Sequence, residues 1–429
     1  MRPVIQARPF ALALALVACA GGLRAQTLPV PELPPDPDAA AAPEAPPTAL
    51  QPAGTQLPAA VPVVRARRWD YTTSVGVLWD RNVGFFAPDG PSDVALIPRA
   101  TLSRLFTGSR STLRASLAGR YYEYREQDAQ SRGYADVLLD WGYRSSPNTT
   151  WRAGGSYMFG HSDASQPLQA QGVLLPLVGT QTATGAAGVT RQFGTRTSLL
   201  IDGRYYRTDF DSAELIDGES ARGTIALERK FSTRNTVALV YSAEDVLKDP
   251  LGRAYLTHYG SLQWTRVVSP RTAVLLEGGA SYTPEAGRAQ LERKEAFFGG
   301  ASLVRQLGRS SLTLFVRREV APAFGAGVSR LELRSGLSTA APLGRDWLLR
   351  LAAAYAWSDS PEDQALAYPS GGDGSSALSY RISSRLELSG EGVYRRRSST
   401  PTLPAIDTVQ AGLFLTLSTP VAREKPPVP

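Results

Sequence analysis

Arginines and carboxylates recur along this chain at every second position of stretches whose remaining positions are apolar, and that spacing limits the chemistry they can do. Arg114, Arg120, Asp136, Asp140, Arg204 and Arg222 fall on such polar alternates, as do Arg317, Arg330, Glu332, Arg334, Arg350, Glu387 and Glu391. A planar guanidinium fork takes carboxylates or vicinal hydroxyls in a two-pronged grip. A face built from such forks can line a conduit that passes an anion or a glycan from one to the next. The same pattern also fits a solvated wall in which arginines and acids pair with one another and prefer no ligand, and the sequence leaves both readings open. Of the 46 basic residues only Lys230, Lys248, Lys294 and Lys425 are lysines.

Other chemistries find less to work with. The histidines are His161 and His258. His161-Ser162-Asp163 is no triad by adjacency, because that geometry is assembled from distant segments. His258 alternates with Leu256 and Gly260, as a strand residue does. No Cys or His cluster has metal-ligand spacing, and no glycine motif of the phosphate-binding kind leads from a strand into a helix. No catalytic, cofactor or metal site is therefore expected, nor a nucleic-acid partner. Carboxylates are plentiful enough for a glycan- or lipid-cleaving site of two or three polar groups, which keeps a barrel enzyme as the third choice behind a conduit and a surface-binding or structural barrel.

The elements that must hold these residues are strands. Between Thr182 and Asp211 two of them hinge on Phe193-Gly194-Thr195-Arg196; beyond the turn Leu199, Ile201, Gly203 and Tyr205 share one face and Ser198, Leu200, Asp202, Arg204 and Tyr206 the other. Short connections recur near Thr107-Gly108, Pro147-Asn148, Gly194-Thr195, Thr233-Arg234, Pro270-Arg271, Gly308-Arg309, Gly344-Arg345 and Ser384-Arg385. Their spacing of roughly 36 to 47 residues is one hairpin plus one longer loop. An opening strand over 69–80, eight hairpins and a closing strand over 407–418 make about 18 strands, the even number of a closed bacterial barrel.

The alternation alone would also suit a soluble sandwich. The aromatics separate the two: Gly-Arg-Tyr-Tyr at 119–122 and 203–206, with Tyr157, Tyr241, Tyr282, Tyr355 and Tyr394, fall mostly 8 to 14 residues beyond a short turn. At about 3.3 Å per residue and a tilt near 40° this is roughly 20 to 35 Å, which brackets the apolar band of an outer-membrane barrel. With 43% apolar residues and a mean hydropathy of −0.17, the expected fold is all-β: a transmembrane antiparallel up-and-down β-barrel over 67–419, in contact with outer-membrane lipid. Long loops around 80–93, 161–180, 244–254 and 358–375, among others, would face outward, and both termini the periplasm.

Residues 1–25 read as a secretory signal, with Arg2 and Arg8 ahead of an apolar core from Phe10 to Ala20. Cleavage after Ala25 removes three arginines and no acid, taking the formal charge from +7 to +4. The rival is the lipoprotein-like box Leu16-Val17-Ala18-Cys19, which would acylate the one cysteine; either way no thiol chemistry remains in the body. Residues 26–66, rich in proline and alanine, cannot bury enough surface to offset chain entropy and read as a disordered periplasmic arm. Residues 420–429 form a C-terminal tail.

Two resemblances follow from these residues. Gln410, Gly412, Leu415 and Leu417 look like the closing-strand signal read by the barrel-assembly machinery, without its final aromatic. The stretch from Tyr71 to Leu102, with Trp79-Asp80-Arg81-Asn82 and Pro91-Ser92-Asp93-Val94-Ala95-Leu96-Ile97-Pro98, resembles the opening of outer-membrane β-barrel proteins of bacterial exopolysaccharide systems. That resemblance implies export of a surface polysaccharide beside a periplasmic polysaccharide export protein, with glycan as cargo and no catalytic residues. The alternative is a surface-binding or structural barrel without transport, or a general solute porin.

Overall fold

A computed structural model of the chain describes residues 69–83, 90–161, 178–212, 215, 217–248, 255–284, 295–321, 330–359, 370–398 and 405–419. The segments read as signal, arm and tail lie outside the described residues. Eighteen strands follow one another: β1 (Trp69–Asp80), β2 (Asp93–Thr107), β3 (Ser111–Tyr124), β4 (Arg132–Ser146), β5 (Thr149–His161), β6 (Gly179–Phe193), β7 (Thr197–Phe210), β8 (Gly218–Lys230), β9 (Asn235–Lys248), β10 (Tyr255–Ser269), β11 (Thr272–Tyr282), β12 (Glu295–Leu307), β13 (Ser310–Ala321), β14 (Arg330–Pro342), β15 (Trp347–Asp359), β16 (Gly371–Arg381), β17 (Leu386–Arg397) and β18 (Ile406–Ser418). Each pairs antiparallel with its neighbours in sequence, and β1 also pairs with β18, so the sheet closes without an edge.

All eight short connections fall where the turn residues put them. Gly194, Gly308 and Gly344 adopt φ of 73°, 67° and 90°, a backbone state that costs a Cβ-bearing residue dearly and glycine little. The strands run further toward the long-loop end than their polarity suggests. Glu244, Asp245 and Val246 remain paired with Thr257, Leu256 and Tyr255, and Gly372 to Gly374 with Tyr355 to Ala353. Loop boundaries near 244 and 375 are corrected accordingly: Glu244 is polar because it faces the interior, not because the chain has left the sheet.

Successive residues point to opposite faces of the wall. The outer face carries Val75, Val77, Leu117, Ile201, Ile225, Leu239, Leu262, Leu413 and Leu415, all exposed. Aromatics bound this apolar band at both ends. Trp69, Trp141, Trp151, Phe193 and Trp347 mark the short-turn end, and Trp79, Tyr121, Tyr157, Tyr241, Tyr282 and Trp357 the long-loop end. Of each Tyr-Tyr pair Tyr121 and Tyr205 are exposed outward, as the alternation has them, while Tyr122 and Tyr206 turn to the inner face opposite Arg132 and Thr184 and so take no part in the outer girdle. His258 lies on the outer face too, its Nδ1 2.8 Å from the Tyr241 hydroxyl.

The closing seam is fastened from inside. Asp80, 1% exposed, accepts hydrogen bonds from Tyr124 Oη (3.1 Å), Thr408 Oγ1 (3.1 Å), Gln410 Nε2 (2.8 Å) and the Asn82 backbone N–H (3.2 Å). These tie the top of β1 to β18 and β3. Beneath them Phe414 folds over Gly76, directly opposite on β1; a Cβ at 76 would overlap the ring. An apolar cluster of Leu78, Ala95, Ile97, Tyr122, Tyr124, Tyr134 and Phe414 lines this side of the interior.

Candidate functional site: an arginine and aromatic belt on the inner wall

The register puts Arg114 opposite Asp140, Asp136 opposite Ala118 and Met158, and Arg350 opposite Ala340 and Ala377. Glu387 lies between Arg381 and Thr416. Glu332, 2% exposed, faces Glu319. The backbone of Arg330 pairs with Ala321, and its side chain lies outside the described residues. These positions alternate with the exposed apolar ones and so occupy the inner face.

Three arginine pairs stand out. Arg99 on β2 lies directly opposite Arg120 on β3, Arg204 on β7 opposite Arg222 on β8, and Arg317 on β13 opposite Arg334 on β14. Like charges placed directly across a sheet destabilise it, so each pair needs local compensation, which carboxylates and rings supply. Arg99 grips Glu391 with both terminal nitrogens, at 3.2 to 3.3 Å, and lies 3.8 Å over the Phe414 ring. Arg120 stacks on Tyr134 at 4.5 Å. Arg222 donates to Ser242 Oγ (2.8 Å), approaches Glu244 at 4.0 Å and covers Tyr259 at 4.8 Å. Arg317 pairs with Glu319 at 3.0 Å, and Arg334 lies 6.0 Å from the Phe315 ring.

On the β5 to β9 arc the two charges are not equally presented. Asp202 takes Arg152 at 3.3 Å and Arg204 at 2.9 Å; its side chain is 4% exposed while theirs are 39% and 60% exposed. Glu244 is 12% exposed against 35% for Arg222. The acids lie against the wall and the guanidiniums reach into the interior, because the longer side chain extends past the shorter one. Elsewhere the balance differs: Arg99 and Glu391 are exposed alike, and Glu319 more than Arg317.

Arg99, Glu244 and the inward rings of Tyr134, Tyr259, Phe315 and Phe414 were absent from the residues expected on the wall. Alternation in β2 gives Arg99 once its register is known. The rings have no such signal, since each is accommodated by the strand beside it. Among the described residues no group of His, Cys, Asp and Glu has the geometry to hold a metal ion. His161 packs against Tyr134, ring centres 5.7 Å apart, and Ser162 and Asp163 lie outside the described residues.

Comparisons with known proteins give a family match over part of the chain and distant likenesses to solved structures. No curated protein matches the chain. Among solved structures, OccK2 (OpdF) of Pseudomonas aeruginosa is 14% identical, with 82% of this chain and 98% of that one covered and a TM-score of 0.46. OccK5 (OpdH) of the same organism is 10% identical, covering 82% and 99%, at 0.46, and its siderophore receptor PirA 8% identical, covering 82% and 80%, at 0.42. Residues 72–224 match the family described as "Putative beta-barrel porin 2". With eighteen strands closed into one wall and an apolar outer band bounded by aromatics, the chain is a closed antiparallel β-barrel of the outer-membrane kind.

Proposed function

We propose that this barrel is a passive outer-membrane channel for small solutes, with a preference for anions set by the arginine belt. Walls of 16 to 18 strands are too wide for their own side chains to fill and leave an aqueous path in porins. The observation that carries the anion preference is the β5 to β9 arc, where Arg152, Arg204 and Arg222 meet water while Asp202 and Glu244 are held against the wall. The long-loop end faces outward and both termini the periplasm in this reading, with the closing strand presented to the barrel-assembly machinery. The porin family match over 72–224 favours a general solute channel over export of a surface polysaccharide beside a periplasmic export protein, which keeps only the sequence resemblance behind it. Liposome swelling with solutes of graded size and charge tests the proposal. Small carboxylates should enter faster than neutral or cationic solutes of equal size. Liposomes that do not swell with any small solute would overturn it, and passage of long glycan chains would restore the export reading.

A further inference from the structure

The outer face is apolar through the middle of the wall and turns basic at its short-turn end in a repeating way that solute passage does not use. On β6, β8, β10 and β12 the outward residues Arg191, Arg229, Arg266 and Arg305 are all exposed. Each stands two residues before an exposed apolar side chain, Phe193, Phe231, Val268 or Leu307. Each also lies directly opposite the first residue of the preceding strand: Thr149 faces Arg191, Thr197 faces Arg229, Asn235 faces Arg266 and Thr272 faces Arg305. Four consecutive hairpins thus repeat one unit, a guanidinium fork beside a short hydroxyl or amide with an apolar group beyond it. Rings steady three of the forks, Arg191 over Phe193 at 5.5 Å, Arg229 over Phe231 at 5.8 Å and Arg266 over Trp264 at 5.9 Å.

The turns below add a second rank, Arg196, Arg234, Arg271 and Arg309, all exposed. None of these arginines makes an ion pair among the described residues, and the acid of this stretch, Glu228, points to the inner face opposite Ala238. At the long-loop end the outer face is mixed: Glu123, Asp209, Glu219, Asp245 and Glu295 lie there across from Leu96, Gln181, Arg207, Leu256 and Tyr282, with outward Arg318 opposite Leu333 and Arg207 ion-paired to Asp209 at 2.9 Å. The basic repeat therefore belongs to one rim. An arginine on the lipid face costs little only near the membrane interface, which is the depth of phosphate groups, and a fork beside a hydroxyl is suited to a phosphate diester.

We propose that the short-turn rim from β5 to β13 is a rail for the phosphates of anionic glycerophospholipids, of the phosphatidylglycerol and cardiolipin class. Successive stations are two strands, roughly 10 Å, apart, so each takes its own headgroup. The net positive rim selects anionic over zwitterionic lipid. The inference rests on the membrane-spanning reading of the barrel and is independent of what passes through it.

Native mass spectrometry of the purified full-length barrel, offered phosphatidylglycerol and phosphatidylcholine of identical acyl chains, tests this. Wild type should retain phosphatidylglycerol in excess by roughly fivefold or more, the worth of a single interfacial arginine at an anionic surface. The combined Arg191→Gln, Arg229→Gln, Arg266→Gln and Arg305→Gln variant should lose that excess; if it fails to fold, the Arg229→Gln and Arg266→Gln pair should show a partial loss. A large excess of inorganic phosphate should leave the retained lipid in place. Equal retention of both lipids by wild type, an unchanged excess in a folded variant, or displacement by inorganic phosphate would overturn the rail. Failure to insert into bilayers of any composition would instead undo the membrane reading itself.

Discussion

Gly76, Phe414, Arg99 and Glu391 form one unit, in which each residue is explained by the next. The ring of Phe414 needs the space a glycine leaves, the guanidinium of Arg99 needs the ring, and Glu391 balances the charge. Gly76→Ala should therefore destabilise the barrel by about 1 to 3 kcal/mol, as overpacking does. Thermal loss of the folded electrophoretic band in the Gly76→Ala, Phe414→Leu and double variants would read the coupling, and the double variant should recover part of the loss. If the two losses simply add, ring and glycine do not depend on each other. Asp80 makes a similar case at the seam. Asp80→Ala strands the donors of Tyr124, Thr408 and Gln410, at a cost of about 1 to 3 kcal/mol for a buried group left unpaired. A folded band that survives to the wild-type temperature would show that the seam does not depend on this carboxylate.

At the scale of the strand, the face assignment makes the sharpest claim. Leu239 is outward and 62% exposed in the middle of β9, so Leu239→Arg should impair insertion by about 2 to 4 kcal/mol if it lies at the bilayer midplane. Normal assembly of that variant in a reconstitution assay would mean the faces are reversed. Strand number, all eight short turns and the sidedness of strands such as 197–210 were legible in the sequence, because period-two alternation and Gly, Pro and Ser turns are local signals. The upper ends of β9 and β16 were not, since Glu244 and Asp373 look like loop residues until a partner strand is placed beside them. The arginine pairs lie still further from sight. Arg204 and Arg222 are each visible as polar alternates, but that they face each other depends on register, which chain-local pattern does not contain.

Taken as a whole, the molecule is a ring of hairpins with no edge, an apolar belt outside and charged forks inside. A closed barrel satisfies its backbone internally, so the protein should resist cold detergent sample buffer and shift in mobility on boiling, with a strand-dominated circular dichroism spectrum. Mobility unaffected by heating would count against closure. The central claim is that guanidiniums reaching past buried acids give the interior its sign. The zero-current potential of the purified protein in a planar bilayer under a salt gradient tests it most directly. Wild type should show a potential of the sign carried by chloride, and the Arg204→Gln and Arg222→Gln double variant should move toward zero or reverse it with the conducting state retained. A cation-selective wild type, or a double variant indistinguishable from it, would contradict the account.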